Sequence, residues 1–229
     1  MHKLDKKTVE KVADIYKTLL KRLRTRENGP VVDSMKRLGL NYTRSFGVSL
    51  IDLKAFAKEY SGKQDLALYL WQKDFRETKI LSLMIADAEK LTKEQIQDYI
   101  LGINNIELAE QAALNLLSNL PNTIEYAYSW CKSEDEYTRV TALLVLARIF
   151  QKGQIVSPEQ MEQFFLCFKE IAKDKNFHVK KALGRALLQI GRKEQYKEKV
   201  INFINEINNF NKETASWLNE EVVYFLENI

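Results

Sequence analysis

Amphipathic helical periodicity runs almost unbroken through the chain, and it limits the fold more than any other feature. Apolar residues recur at spacings of three and four, interrupted only by short breakers such as ENGP (27–30), YSGKQD (60–65) and KSED (132–135). With 8 Gly and 3 Pro among 229 residues, the turn residues that a many-stranded sheet needs are too few. The sequence therefore predicts an all-α protein.

The helical segments are predicted to form pairs that repeat along the chain. The small-and-aliphatic runs RETKILSLMIAD, RVTALLVLARIF and VKKALGRALLQIG recur, each with a basic residue at its start, and the pairs have a period of roughly 35–45 residues. This pattern favours a HEAT-like helical-repeat solenoid of about six antiparallel pairs; a compact bundle is the alternative. The predicted helices are 6–26, 30–38, 49–60, 64–72, 74–87, 92–101, 106–118, 122–132, 135–151, 157–173, 176–192, 195–209 and 213–227.

We expect one domain over residues 1–229, with N-terminal helices in 1–45 and the repeat array in 46–229. No apolar leader follows the start MHKLDKKTVEK, and no apolar run approaches the roughly 20 residues that cross a bilayer, so we expect a cytoplasmic protein without membrane contact. Cys131 and Cys167 lie in apolar helical stretches and are predicted to be buried free thiols.

No metal or cofactor is expected, and the protein is expected to be a monomer. His2 and His178 have no Cys or Asp at ligand spacing, and the chain contains neither a phosphate loop nor a dinucleotide fingerprint.

Charge is distributed unevenly along the chain. Lys and Arg outnumber Asp and Glu by 12 to 5 in residues 1–44 and by 10 to 4 in 169–200, whereas acids outnumber bases by 10 to 3 in 87–136. Two separated basic segments can hold one polyanion at two points, which favours nucleic acid as a partner. The alternative is that the lysines only solvate amphipathic helices.

Several segments in order resemble a known family. They are FGVSLIDLKAFAKEY (46–60), LALYLWQKDFRETKILSLMIAD (66–87), EYTRVTALLVLARI (136–149) and NFHVKKALGRALLQIG (176–191). Together they resemble the bacterial HEAT-like-repeat alkylpurine DNA glycosylases, the AlkD-type DNA alkylation repair family. VVDSMKRLGLNYTRSFG (31–47) resembles the family's extra N-terminal helix and its connection, which approach the DNA minor groove, so Lys36 and Arg44 are candidate DNA contacts.

In active members, the resemblance implies a basic concave face that holds a duplex with a cationic alkylpurine. Two tryptophans and one aspartate line the lesion there: the rings attract the cation, and the carboxylate stabilises the positive charge that develops on the sugar. Here Ile106 stands at the first tryptophan, Glu110 at the aspartate and Arg185 at the second tryptophan. Both aromatic walls are absent, and a guanidinium would repel a cationic base while attracting phosphate.

The candidate DNA-contacting residues lie mainly on the helix from 176. Val179, Ala182, Leu183, Ala186, Leu187 and Ile190 form its apolar stripe, so the polar side carries His178, Lys181, Arg185 and Arg192. Of the arginine pair that the family carries after a tryptophan, Arg139 is retained.

The remaining candidates have structural interpretations. Glu107 is predicted to be an early-turn acid that complements the helix dipole, after Asn104 or Asn105 as cap. Glu110 is either catalytic or the partner of Arg185. Arg76 and Glu77 are expected to form inter-repeat ion pairs or helix-start contacts, and Trp71, Trp130 and Trp217 are expected in the core.

Three functional hypotheses follow. The first is a DNA-binding protein of the DNA alkylation repair superfamily in which base excision is lost or weak. The second is an active glycosylase that releases 3-methyladenine or 7-methylguanine through Glu110. The third is a protein-interaction scaffold whose acidic middle is the working surface.

Overall fold

The computed structural model describes residues 6–228, and every regular element in that range is a helix. The all-α prediction is confirmed. The helices are α1 (Lys6–Arg24), α2 (Gly29–Arg37), α3 (Leu50–Glu59), α4 (Gln64–Trp71), α5 (Arg76–Ile85), α6 (Lys93–Leu101), α7 (Ile106–Asn115), α8 (Thr123–Cys131), α9 (Glu136–Gln151), α10 (Pro158–Ile171), α11 (Phe177–Gly191), α12 (Glu194–Ile207), α13 (Lys212–Leu218) and α14 (Tyr224–Glu227).

The predicted helices agree with these bounds to within a few residues, apart from two breaks. α7 stops at Asn115 rather than 118, because Leu116 leaves the helical region at φ −126° and ψ −64° and a 3-10 turn, Leu117–Asn119, follows. The last predicted helix is divided by a π-helical turn at Asn219–Val223.

Polar caps fix where the central helices begin. The Asn105 side chain accepts a hydrogen bond from Leu108 N, the Asp135 side chain from Thr138 N, and the Asn176 side chain from His178 N. Each cap satisfies a backbone donor that has no partner within its own helix. Of the two predicted alternatives, Asn104 and Asn105, it is therefore Asn105 that caps α7.

The chain divides into two compact units, one ending at Pro121 and the other beginning at Asn122. In the first unit, α5 packs against α3, α4 and α7, and α1 packs against α4. α1 and α3 are antiparallel, since Arg22 binds Glu59 and Arg26 binds Asp52. The unit thus has a layer of α3, α5 and α7 and a second layer of α1, α4 and α6. The expected single domain stays a prediction.

The second unit repeats this plan. α9 packs along α11, and α11 contacts the π-turn and α14; α8 packs on α10, and Lys169 and Lys199 pair α10 with α12. Its four central helices are longer: α9–α12 have 14 to 16 residues, against 8 to 10 in α4–α7 of the first unit. The repeat is consequently shorter in the first unit than the predicted period.

Three ion pairs join consecutive helices of the α3/α5/α7 layer and of the α9/α11/α13 layer at their N-terminal ends. Arg76 at the start of α5 binds Glu107 of α7 at 2.6 Å, and Arg139 of α9 binds Asp174 before α11 at 2.5 Å. Lys180 of α11 binds Glu213 of α13 at 3.3 Å. We call these three pairs the ion-pair ladder. The basic residues that mark the repeats in the sequence are its cations.

Gly47 explains the aromatic-glycine-aliphatic segment before α3. Its φ of +71° is one that L-residues rarely adopt, and a Cβ there would lie 2.4 Å from the carbonyl oxygen of Asn28. The neighbouring Phe46 carbonyl accepts a hydrogen bond from Asn28 N at 2.7 Å. Glycine is therefore required for the connection to close against the start of α2.

Gly47→Ala should lower the free energy of unfolding by about 2 kcal/mol or more, since it combines the left-handed conformation with a backbone clash. Gly62→Ala is the matched control, because Gly62 has a φ of +75° with open space around it. Urea unfolding of both variants measures the difference. Equal losses in the free energy of unfolding would mean that the backbone near Asn28 can shift to accommodate the added Cβ at no energetic cost.

Candidate functional site

Glu107 lies in a buried polar network at the start of α7. Arg76 donates to both of its oxygens, from Nε at 2.8 Å and from Nη2 at 2.6 Å, and the Tyr42 hydroxyl donates at 2.7 Å. Burial, reinforced by the Glu107 charge, raises the pKa of Tyr42 far above its usual value, so this hydroxyl keeps its proton. Glu107 is thus more than an early-turn acid: it joins α5, α7 and the connection before α3.

Glu77 completes the network from the other side of Arg76. Its fully buried carboxylate accepts hydrogen bonds from Ser45 Oγ at 3.1 Å and from the backbone N–H groups of Phe46 and Val48, both at 3.2 Å. Arg76 Nη1 also donates to the Val48 carbonyl at 2.9 Å. The prediction that Arg76 and Glu77 form inter-repeat and helix-start contacts is confirmed.

Burial by itself lowers the pKa of Arg76, but hydrogen bonding and charge from Glu107 raise it above its ordinary value. The guanidinium is therefore charged, and the network contains one buried cation between two carboxylates. Such a group is stable only while its partners remain in place.

Glu110 and Ile106 are both half-buried residues of α7. Glu110 lies one turn after Glu107 and so projects from roughly the same side of the helix. Glu107 is held by Arg76 and Tyr42. The predicted pairing of Glu110 with Arg185 stays a prediction.

Lys36 and Arg44 are exposed and line a cleft of about 320 Å³ beside α2. Thr43 and Glu27 share its polar rim, and Phe46 and Phe75, whose ring centroids are 4.7 Å apart, form part of its apolar wall. The Arg44 carbonyl accepts a hydrogen bond from Arg76 N at 3.0 Å. The buried network therefore positions the backbone from which this cation projects.

The polar side of α11 carries the candidates expected there. Lys181, Arg185 and Arg192 are exposed and His178 is half-buried, whereas the apolar stripe from Val179 to Ile190 is buried. At 100° per residue, positions 178, 181, 185 and 192 fall within a sector of about 60°. We call these four side chains the α11 row.

Arg139 has a different environment from the α11 row. It donates to the carbonyl oxygens of Ser133 at 2.9 Å and Glu134 at 2.7 Å, and Nη2 binds Asp174 at 2.5 Å. Its side chain is 18% exposed. These bonds close the turn before α9 and link it to α11, so the guanidinium predicted to contact DNA belongs to the ion-pair ladder.

Two predicted core assignments need correction. Cys131, Trp71 and Trp130 are buried as expected, but Cys167 and Trp217 are half-buried. Trp217 lies against Gly184 and beneath the Lys180 ammonium, whose nitrogen is 5.6 Å from the ring centroid. The surface position of α13 leaves one side of this ring open to solvent.

Within residues 6–228, no helix is long and apolar enough to cross a membrane, and no three His, Cys, Asp or Glu side chains are grouped so that they could hold a metal ion. His2 lies outside the described residues.

A sequence model of the family described as DNA alkylation repair enzyme matches residues 19–218. The chain belongs to this family. The match spans α1 from its C-terminal half through α13, so it includes both the buried network and the α11 row.

The fold agrees with this family membership. A solved structure described as "a new family of proteins related to the HEAT-like repeat DNA glycosylases with affinity for branched DNA structures" is similar, with a TM-score of 0.74 and 18% sequence identity over 83% of this chain and 82% of that chain. The predicted HEAT-like repeat fold is confirmed. A search of curated proteins gave no significant match.

Sequence reasoning missed two aromatic residues beside the α11 row. Phe177 is the first residue of α11, and Tyr137 occupies the first turn of α9, where its ring lies 6.4 Å from that of His178. Phe177 could have been found, because it falls outside the apolar stripe that begins at Val179. No sequence pattern indicates Tyr137, since the ring that it contacts, His178, lies in the next repeat.

Glu107→Gln should lower the free energy of unfolding by about 3 kcal/mol, because it removes one of the two carboxylates that balance the buried Arg76 guanidinium and leaves only Glu77. Glu213→Gln removes the equivalent acid of the ion-pair ladder, but Glu213 is 88% exposed, so its urea midpoint should hardly move. Urea denaturation followed by circular dichroism compares them. Similar losses would show that burial does not decide the strength of these pairs.

Proposed function

We propose that this protein binds DNA through the α11 row and that it has lost, or greatly weakened, alkylpurine excision. The observation that carries the proposal is the row itself: three exposed cations and a histidine on one side of a helix whose other side is fully packed. A solvent-facing row of this kind is suited to phosphate contacts, which supply most of the non-specific affinity for DNA.

The spacing of the α11 row matches a DNA backbone. Lys181 and Arg185 are separated by about 6 Å along the helix axis, and the row from His178 to Arg192 extends about 21 Å at 1.5 Å per residue. That length corresponds to roughly six base pairs at 3.4 Å each. Arg185 can bind one phosphate through two N–H groups, whereas Lys181 acts as a point charge.

The residues that replace the family's catalytic set favour holding DNA over cutting the glycosidic bond. Ile106 has no π-face for a cationic purine, and Arg185 adds a positive charge where the resemblance places a tryptophan. Each lost cation–π contact removes about 0.5–2 kcal/mol of attraction, so two can slow excision by one to three powers of ten. Phosphate binding needs neither ring.

A second contact is proposed at Lys36 and Arg44, which line the cleft beside α2. We leave Arg139 out of the DNA-binding set because its donors are engaged by Asp174 and by two backbone carbonyls. Duplex DNA and branched DNA are the substrates to test first, since the structurally similar family is described as having affinity for branched DNA.

Lys181→Glu/Arg185→Glu should weaken DNA binding at least tenfold at low salt, because two attractive phosphate contacts become repulsive. The slope of log K against log salt, which is negative, should also become less steep by about two. Fluorescence anisotropy with a labelled duplex and a four-way junction, across a salt titration, measures both quantities.

The matched control is Lys169→Glu/Lys199→Glu, which changes the net charge equally on α10 and α12. Both lysines form surface pairs of small energetic value, with Glu206 and Glu162. Equal weakening by the two double variants would mean that only overall charge matters. Affinity that does not respond to salt would contradict the phosphate-contact proposal, and absence of binding to either DNA would favour the scaffold hypothesis.

The purified protein should release neither 7-methylguanine nor 3-methyladenine from methylated DNA above the spontaneous rate. Chromatography of the released bases, with an active family member as positive control, measures this. Release that disappears in Glu110→Gln would establish the second candidate, a glycosylase. The observation favouring that candidate is the half-buried carboxylate of Glu110 at the family's catalytic position.

A further inference from the structure

Phe177 is a large apolar side chain that is exposed to solvent. It is 57% exposed, although other apolar residues of α11, such as Val179 and Leu183, have no measurable exposure. A cap at Asn176 starts the helix without any contribution from this ring, because the Asn176 side chain binds the N–H groups of His178 and Val179. The fold therefore does not account for an aromatic residue at this position.

The surroundings of the ring are aromatic and cationic. The Lys181 ammonium lies 5.9 Å from its centroid, and the His178 ring lies 6.0 Å away. Tyr137 continues the series beside His178. Along α11, position 177 is about 40° from position 181, so Phe177 borders the α11 row rather than the packed side of the helix.

An exposed ring beside a row of cations is suited to single-stranded nucleic acid. Phosphates follow the cations while an unpaired base stacks on the aromatic face, an interaction that tolerates any base because all four have a π-face. A protein partner is less suited, because Lys175, Lys181 and Arg185, all within eight residues of Phe177 along the chain, are exposed cations and would need an acidic surface. In a fully paired duplex the bases are stacked on each other and unavailable.

We propose that Phe177 is a stacking platform for an unpaired base of DNA held on the α11 row. The inference rests on the proposed DNA-binding function and narrows it: the preferred ligand is DNA with unpaired bases next to a duplex, as at a bulge or an open branch point. The cations supply affinity for any DNA, and the ring supplies the preference for unpaired structure.

The test measures the affinity of wild type and of Phe177→Ala for two DNAs of equal length. One is a perfect duplex, and the other is a duplex with a two-nucleotide bulge. We expect Phe177→Ala to weaken binding to the bulged DNA about tenfold and binding to the duplex less than twofold. Phe177→Trp should retain the preference. The salt slope should not change, since no charge is removed, in contrast to Lys181→Glu/Arg185→Glu.

Phe210→Ala is the control for loss of an exposed phenyl ring in the same unit, since Phe210 is 40% exposed and follows α12. It should leave both affinities unchanged. An abasic bulge supplies the converse control: wild type should lose its preference when the bulge has no bases. Circular dichroism checks that Phe177→Ala remains helical.

The outcomes separate the two proposals. Equal effects of Phe177→Ala on both DNAs, or no effect on either, would overturn the stacking platform while salt-dependent duplex binding leaves the proposed function standing. Failure of wild type to bind either DNA at low salt would overturn both. Displacement of bound DNA by polyglutamate that depends on Phe177 would indicate an acidic peptide ligand and also overturn the platform.

Discussion

The ion pair between Arg76 and Glu107 is the interaction on which the first unit depends. One guanidinium, 3% exposed, holds the start of α7, the adjacent Glu77 and the backbone before α3 in fixed positions. Arg139–Asp174 and Lys180–Glu213 repeat this link in the second unit with increasing exposure of the acid. Breaking a buried ion pair is costly, whereas an exposed pair contributes little to stability. The Arg76–Glu107 pair is therefore essential to the fold of the first unit, and the Lys180–Glu213 pair stabilises the second unit only weakly.

This arrangement also distinguishes the roles of Glu107 and Glu110, the two glutamates of α7. Glu107 is a structural residue, because its carboxylate accepts three hydrogen bonds from Arg76 and Tyr42 and balances the buried guanidinium. Glu110, one turn later, is the catalytic candidate of the second proposed function. The repeat fold thus places a structural acid and a candidate catalytic acid one helical turn apart.

The sequence predicted most helix bounds to within a few residues and named Asn105 as one of two alternatives for the cap of α7, because periodicity and capping depend on residues close together in the chain. It also indicated the cations of the ion-pair ladder, which stand at helix starts. Their partners could not be predicted, since the acids lie 31, 35 and 33 residues further along the chain and no local pattern connects them. Arg139 shows the consequence: a surface arginine by pattern, it is committed to Asp174 in the structure. Phe177 shows a second limit: it falls outside the apolar stripe of α11, but the pattern alone does not indicate which side chains surround its ring.

Affinity and selectivity have separate physical origins in the proposed DNA-binding surface. Phosphate contacts from Lys181 and Arg185 respond to salt and ignore sequence, whereas stacking on Phe177 responds to whether a base is unpaired and hardly responds to salt. The resemblance places a tryptophan at the position of Arg185, and under the proposal a guanidinium there would disfavour a cationic base but not a neutral, unpaired one. Under this proposal, arginine in place of tryptophan on α11 shifts recognition by the same helix from the charge of a lesion to the shape of the DNA.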